Sequence, residues 1–93
     1  MPSFDVAHIR EQGQNMLLFP LDESFAYKTQ SDQSDIVAEL EARAHAAGLA
    51  GRAVAVWENA GRTSFLGPRP WRQFLQSISV HFVLRNVNKT ISW

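Results

Sequence analysis

Two segments of fifteen residues, forty-eight positions apart, share a pattern that few folds accommodate. VAHIREQGQNMLLFP (Val6–Pro20) aligns without gaps on VAVWENAGRTSFLGP (Val54–Pro68), with identical residues at Val6/Val54, Ala7/Ala55, Gly13/Gly61, Leu18/Leu66 and Pro20/Pro68. Other columns match in kind, such as Ile9/Trp57 and Leu17/Phe65. Each copy reads as a strand, a turn containing glycine, a second strand and a proline stop. Glycine supplies the positive φ of a tight hairpin. Proline cannot donate to a ladder, so it ends the second strand or places it at an edge. The chain therefore reads as two hairpins.

Each hairpin is followed by sequence with helical spacing. After the first, SDQSDIVAELEARAHAAG (Ser31–Gly48) has an apolar stripe of Ile36, Val37, Leu40, Ala44 and Ala47. Ser31, Asp32 or Ser34 can cap its start, and Asp32 and Asp35 suit the positive end of a helix dipole. Glu39–Arg43 and Glu41–His45 have the favourable i,i+4 order, and Gly48 suits the position just past the end. After the second hairpin, PRPWRQFLQSISVHFVLRNVN predicts a helix over 70–86, with Trp71, Phe74, Leu75, Ile78 and Phe82 on one stripe. Val80, Val83, Leu84 and Val87 would then lie opposite. Ile78, Val80, Phe82 and Leu84 also alternate as in a strand, so a short helix followed by a strand from Ile78 is the competing reading. Ile91–Trp93 can add a short final strand.

The resulting order, ββαββα, predicts one α+β domain over residues 1–93, built from pseudo-repeats 4–49 and 52–88. Read cyclically, this is the order of a ferredoxin-like fold or a permuted relative: an antiparallel four-stranded sheet with two helices on one face. The apolar content of 45% is too high for a disordered chain. Met16–Leu21 and Ala53–Trp57 are apolar on both alternating faces, as in strands buried on two sides. Two helices on one face leave the other bare, and monomers rarely tolerate a large bare apolar face. A homodimer or a docked protein partner is therefore expected there. The competing cover is the Leu21–Gln30 loop, with Phe25 and Tyr27 packed over a sheet edge, together with the C-terminal tail.

Catalytic chemistry finds little support. The chain has no cysteine, which excludes disulfides, thiolate metal ligands and a thiol nucleophile. His8, His45 and His81 have no metal-binding spacing. Neither Gly48–Gly51 nor Gly61–Ser64 has the spacing of a phosphate-binding loop, and no serine sits in a nucleophile elbow. The neighbouring carboxylates Asp22/Glu23 and Asp32/Asp35 fit turn and cap roles better than acid–base work. Pro2 would offer an amine base only after loss of Met1. No catalytic residue, metal site or cofactor is expected. The N-terminus lacks a signal-peptide pattern and no apolar run is long enough to span a membrane, so the expected location is the cytoplasm.

Charge is the remaining signal. Residues 1–58 carry nine acids and four bases, a net −5; residues 59–93 carry Arg62, Arg69, Arg72, Arg85 and Lys89 and no acid, a net +5. Such a division hints at a partner. Arg62, Arg69, Trp71, Arg72, Arg85 and Lys89 are the candidate partner-binding residues. If both helices share one face, part of the division becomes complementarity between an acidic and a basic helix. Three functions follow. The first is a small non-catalytic interaction module that self-associates or docks a protein through an apolar sheet face. The second is a nucleic-acid-binding domain that uses the basic half. The third is a dimeric ferredoxin-like enzyme acting on a small molecule in a pocket lined by Trp57, Phe65 and Phe74 and approached by His8 or His81.

Overall fold

The computed structural model describes residues 3–92. Met1, Pro2 and Trp93 lie outside the described residues, and with them the amine reading of Pro2 and the last residue of the expected Ile91–Trp93 strand. The two hairpins are present. The first joins β1 (Ser3–Glu11) to β2 (Gln14–Pro20), and the second joins β3 (Arg52–Asn59) to β4 (Arg62–Leu66). Their two-residue loops have the same backbone form, with positive φ at both Gln12 and Gly13 and at both Ala60 and Gly61. That is the signature of the type I′ turn, whose twist matches that of the strands it joins.

The sheet departs from expectation. It has five strands rather than four, in the order β4-β3-β2-β1-β5, with β5 at Lys89–Ser92. It is mixed rather than antiparallel, because β2 and β3 run parallel, with Met16 opposite Arg52 and Pro20 opposite Val56. Every other pairing is antiparallel. A parallel pair cannot be closed by a tight turn and needs a crossover. The crossover is α1 (Gln30–Ala46), preceded by a 3₁₀ turn at Glu23–Tyr27.

Parallel pairing also turns the second hairpin over relative to the first. Val6 packs into the core under α1, whereas its counterpart Val54 packs on the opposite face. Ala7 and Ala55, Leu17 and Phe65, and Leu18 and Leu66 are exchanged between faces in the same way. The two hairpins are related by a half-turn about an axis across the strands, which reverses strand direction and exchanges the faces. The helix after each hairpin therefore lands on a different face. α1 covers one side with Leu40 and Ala44. The 3₁₀ turn extends that cover with Phe25, whose ring lies 4.8 Å from that of Trp57. The other side is covered by α2 (Arg72–Gln76) and α3 (Val80–Arg85), through Trp71, Leu75 and Val83. The expectation of both helices on one face is thus corrected, and the strands apolar on both sides are buried by the chain's own helices.

The expected helix over 70–86 is broken. A 3₁₀ turn at Arg69–Trp71 leads into α2, and the chain leaves helical geometry at Ser77–Ser79. Ser77 Oγ donates to the carbonyl of Phe74 at 2.6 Å, and Ser79, extended at φ −126°, ψ 170°, accepts from the amide of Phe82 and so caps α3. Serine offers the backbone local alternatives to the helix. The break resolves the two conflicting stripes. A continuous helix would point Val80 and Val83 away from Trp71 and Leu75, whereas re-aiming after Ser77 brings all four into the core on one sheet face. No strand starts at Ile78; the strand comes at Lys89, and Leu84 remains 52% exposed.

Local details also differ. α1 is capped by Thr29 rather than by Ser31, Asp32 or Ser34, and Ala47 of the expected stripe is exposed. Glu39 and Arg43 do pair, at 3.7 Å. Glu41 instead accepts from the Ala53 amide at 2.9 Å and from Arg52 Nε at 3.2 Å, and His45 Nε2 lies 2.7 Å from the Gly51 carbonyl. These contacts tie the end of α1 to the start of β3. Of the two aromatics in the Leu21–Gln30 loop, Phe25 packs inward and Tyr27 is 82% exposed. Asn88 holds β5 in place: its side-chain amide accepts from the His8 N–H and donates to the His8 carbonyl, while its own N–H donates to Val6.

Two substitutions test this backbone. Ala60 pays the cost of a left-handed φ of 53°, so Ala60→Asn should stabilise the fold by about 1 kcal/mol, read as a melting temperature higher by about 4 °C or more. Gly51 sits at φ +128°, and a Cβ there would lie 2.6 Å from the Asn15 carbonyl oxygen. Gly51→Ala should therefore destabilise by about 3 kcal/mol in urea unfolding, through backbone strain and overpacking together.

Candidate partner-binding edge

The strand that ends at Leu66 is an edge, as the following Gly67-Pro68 suits. Its hydrogen-bonding pattern follows from its neighbour. The Leu21 amide donates to the Val56 carbonyl at 2.8 Å, so Val56 directs its bonding groups toward β2. Val56 faces Phe65, and Glu58 faces Thr63, across the antiparallel ladder. Alternation in such a ladder makes these the pairs that do not bond each other. The N–H and C=O groups of Thr63 and Phe65 therefore point outward, away from β3. No backbone bond from either residue to another element closes that edge among the described residues.

A shallow groove of about 470 Å³ runs beside this edge. Phe65 forms part of its floor, and Arg69, Arg72 and Gln76 stand along its wall. The wall exists because the chain turns back at Pro68 and enters α2 on the face that Phe65 shares. Arg62 opens the strand from the hairpin tip, with its side chain on the opposite face by alternation. Arg62, Arg69 and Arg72 are exposed and form no ion pair among the described residues. Glu58, the carboxylate across from Thr63, is likewise without an ion pair there.

The structure separates the other candidates. Trp71 is 9% exposed and packs mainly into the core, with the part left open facing hollows beside Gln14 rather than the groove at β4. Arg85 ends α3 and Lys89 begins β5, at the opposite edge of the sheet from β4. Both are exposed and without an ion pair among the described residues. The expected complementarity between an acidic and a basic helix does not form, because the sheet lies between α1 and α2.

The expected pocket of His8, Trp57, Phe65, Phe74 and His81 is divided in the same way. Trp57 lies under α1 and the 3₁₀ turn, and His8 shares that face by its register with Leu17. Phe65 and Phe74 lie on the other face, and His81 is exposed on α3. Trp57 Nε1 is buried without a hydrogen-bond partner, a cost of about 1–3 kcal/mol for a donor removed from water. Among the described residues, no group of three or more His, Asp or Glu side chains is placed to hold a metal ion.

A second concavity, of about 280 Å³, opens between the 3₁₀ turn and the first half of α1. Its lining is mostly apolar, with Phe4, Leu21, Phe25 and Ile36 inside and Lys28 and Glu39 at the rim. Neither His8 nor His81 lines this cleft or the groove at β4. Sequence reasoning named the arginines as candidates but did not reach the outward backbone groups of Thr63 and Phe65. The signal for them was present in Pro68, which marks a strand with a free side.

Comparison with family models, with curated proteins and with solved structures found no match. The chemistry of the β4 edge therefore rests on its own geometry. Because Arg69 and Arg72 are exposed and form no ion pair among the described residues, reversing both to glutamate should change the stability read from urea unfolding by no more than about 0.5 kcal/mol. A larger loss would show that they hold the fold together.

Proposed function

We propose that the chain is a small non-catalytic module that binds a protein partner at the free edge of β4. The observation that carries this reading is the open pair of backbone bonding sites at Thr63 and Phe65, bordered by arginines that form no ion pair among the described residues. Addition of a strand to an exposed edge is a general mode of peptide recognition: the backbone supplies affinity and the flanking side chains supply choice. The partner is placed at an edge and not on a sheet face, because helices of this chain occupy both faces.

A second copy of the chain fits the edge poorly. Both edges of the sheet carry positive charge, from Arg62, Arg69 and Arg72 at β4 and from Lys89 at β5. Joining β4 to β4, or β4 to β5, would bring like charges together, and edge cations are a recognised guard against such pairing. The same charges that deter a copy favour a different, acidic chain.

Nucleic acid is the weaker reading. Binding of single strands uses rings on which bases stack, and the tryptophan beside the arginines is turned into the core. The enzymatic reading is weakened because the sheet separates Trp57 and His8 from Phe65 and Phe74.

Light scattering at micromolar concentration should give one species near 10.5 kDa. Recovery of proteins on the immobilised chain should differ between the native form and the Arg69→Glu, Arg72→Glu double variant, with at least one partner lost. Identical recovery by both forms would end this reading of the edge.

A further inference from the structure

We infer that the segment bound at β4 is an extended strand carrying carboxylates at alternate positions, on the side that faces α2. This rests on the reading of β4 as the docking edge and deepens it by naming the ligand. Thr63 and Phe65 are two residues apart, so their outward groups set a ladder of four hydrogen bonds to an incoming backbone. Only a chain with regular N–H and C=O groups matches that ladder.

Side chains on one face of such a strand recur every second residue, about 6.6 Å apart. Arg69 begins the 3₁₀ turn and Arg72 follows it three residues on, where side chains of a 3₁₀ turn eclipse about 6 Å apart along its axis. Two carboxylates on the α2 side, separated by one residue, thus meet the two guanidinium groups in turn, each able to receive a paired hydrogen bond. The ring of Phe65 lies on the same side and gives the stems of those acidic residues an apolar surface. On the other side of the added strand, alternate residues meet Ser64 and Leu66, with Arg62 at the end nearest the hairpin. That side favours a small or aliphatic residue. The ligand pattern is therefore acidic, apolar, acidic.

The charge division of the chain fits this arrangement. The acidic helix α1 packs on the opposite face of the sheet from Arg69 and Arg72. Glu11 and Glu58 lie on the α2 side by alternation from Ile9 and Val56, and neither forms an ion pair with these arginines among the described residues.

The test uses the full chain labelled with ¹⁵N and a short capped peptide alternating glutamate with valine. Binding should shift the Thr63 and Phe65 amides and slow their hydrogen exchange. Arg69→Ala with Arg72→Ala should weaken the peptide by about tenfold or more, as for close charge pairs across an interface. Raising the salt should weaken it as well, since the screening length falls from about 10 Å at 0.1 M to about 3 Å at 1 M. The same peptide N-methylated along its bonding edge keeps its charge and should lose binding. Equal binding of the methylated peptide, or shifts that avoid β4, would overturn the inference. So would an oligothymidylate that bound the same arginines more tightly than the peptide does. Failure here stays distinct from failure of the docking edge itself, which is read from partner recovery by the double-glutamate variant.

Discussion

Parallel pairing of β2 with β3 is the constraint on which the rest of this structure depends. Leu17, Leu18 and Phe19 on one strand and Val54, Ala55 and Val56 on the other are fully buried. A pair sealed on both faces must lie in the middle of the sheet. It excludes a direct turn between the strands and requires α1 to pass over one face. It reverses the second hairpin, so Val54 and Phe65 point where Ala7 and Leu18 point rather than where Val6 and Leu17 do. Covering of the second face by α2 and α3 follows from that reversal. So does the path of the chain from β4 back across the sheet to β5 at the far edge.

The same pairing explains which parts of the fold were legible in the sequence. Local signals were clear: Gly13 and Gly61 in their hairpins, Gly48 at φ +87° past the end of α1, and the Glu39–Arg43 pair. The arrangement of those pieces was not, because a pattern such as Val6-Ala7 and Val54-Ala55 is identical for a hairpin seen from either face. Burial on both sides of Met16–Leu21 and Ala53–Trp57 was visible in the sequence. It pointed to a missing cover, and the inverted second repeat places helices of this chain on both faces. The break at Ser77–Ser79 was hidden for another reason. Helical and alternating patterns overlapped there, and the decisive contacts are side-chain hydrogen bonds of 2.6 Å and 3.3 Å made within a few residues. Asn88 and Glu41 bond to backbone far along the chain, and nothing local in either sequence context marks those partners.

The arginines illustrate the difference between composition and placement. Five cations in the C-terminal part amount to a modest charge, and by number alone they describe an ordinary wet surface. The fold sorts them into two groups at opposite edges, Arg62, Arg69 and Arg72 with β4, and Lys89 with β5 and Arg85 before it. It also removes their expected counter-charges, since α1 lies across the sheet from α2. Cations near a free edge have two consequences at once. They oppose pairing with a second edge of like sign, and they lower the cost of bringing carboxylates to the same place.

An edge strand left open is a hazard unless the fold restricts what can join it. Here the restriction is geometric as well as electrostatic. β4 has five residues, ends at Gly67-Pro68, and exposes outward backbone groups at only two of them, Thr63 and Phe65. A long, flat strand would find too short a ladder to compensate for its loss of freedom on docking. A short segment gains from the ladder chiefly when side-chain contacts add to it. The wall formed by Arg69, Arg72 and Gln76 offers those contacts on one face only. In the proposed reading, a short ladder, cations that oppose a second edge of like sign and a one-sided wall act together on which alternate positions of an incoming strand carry the acid.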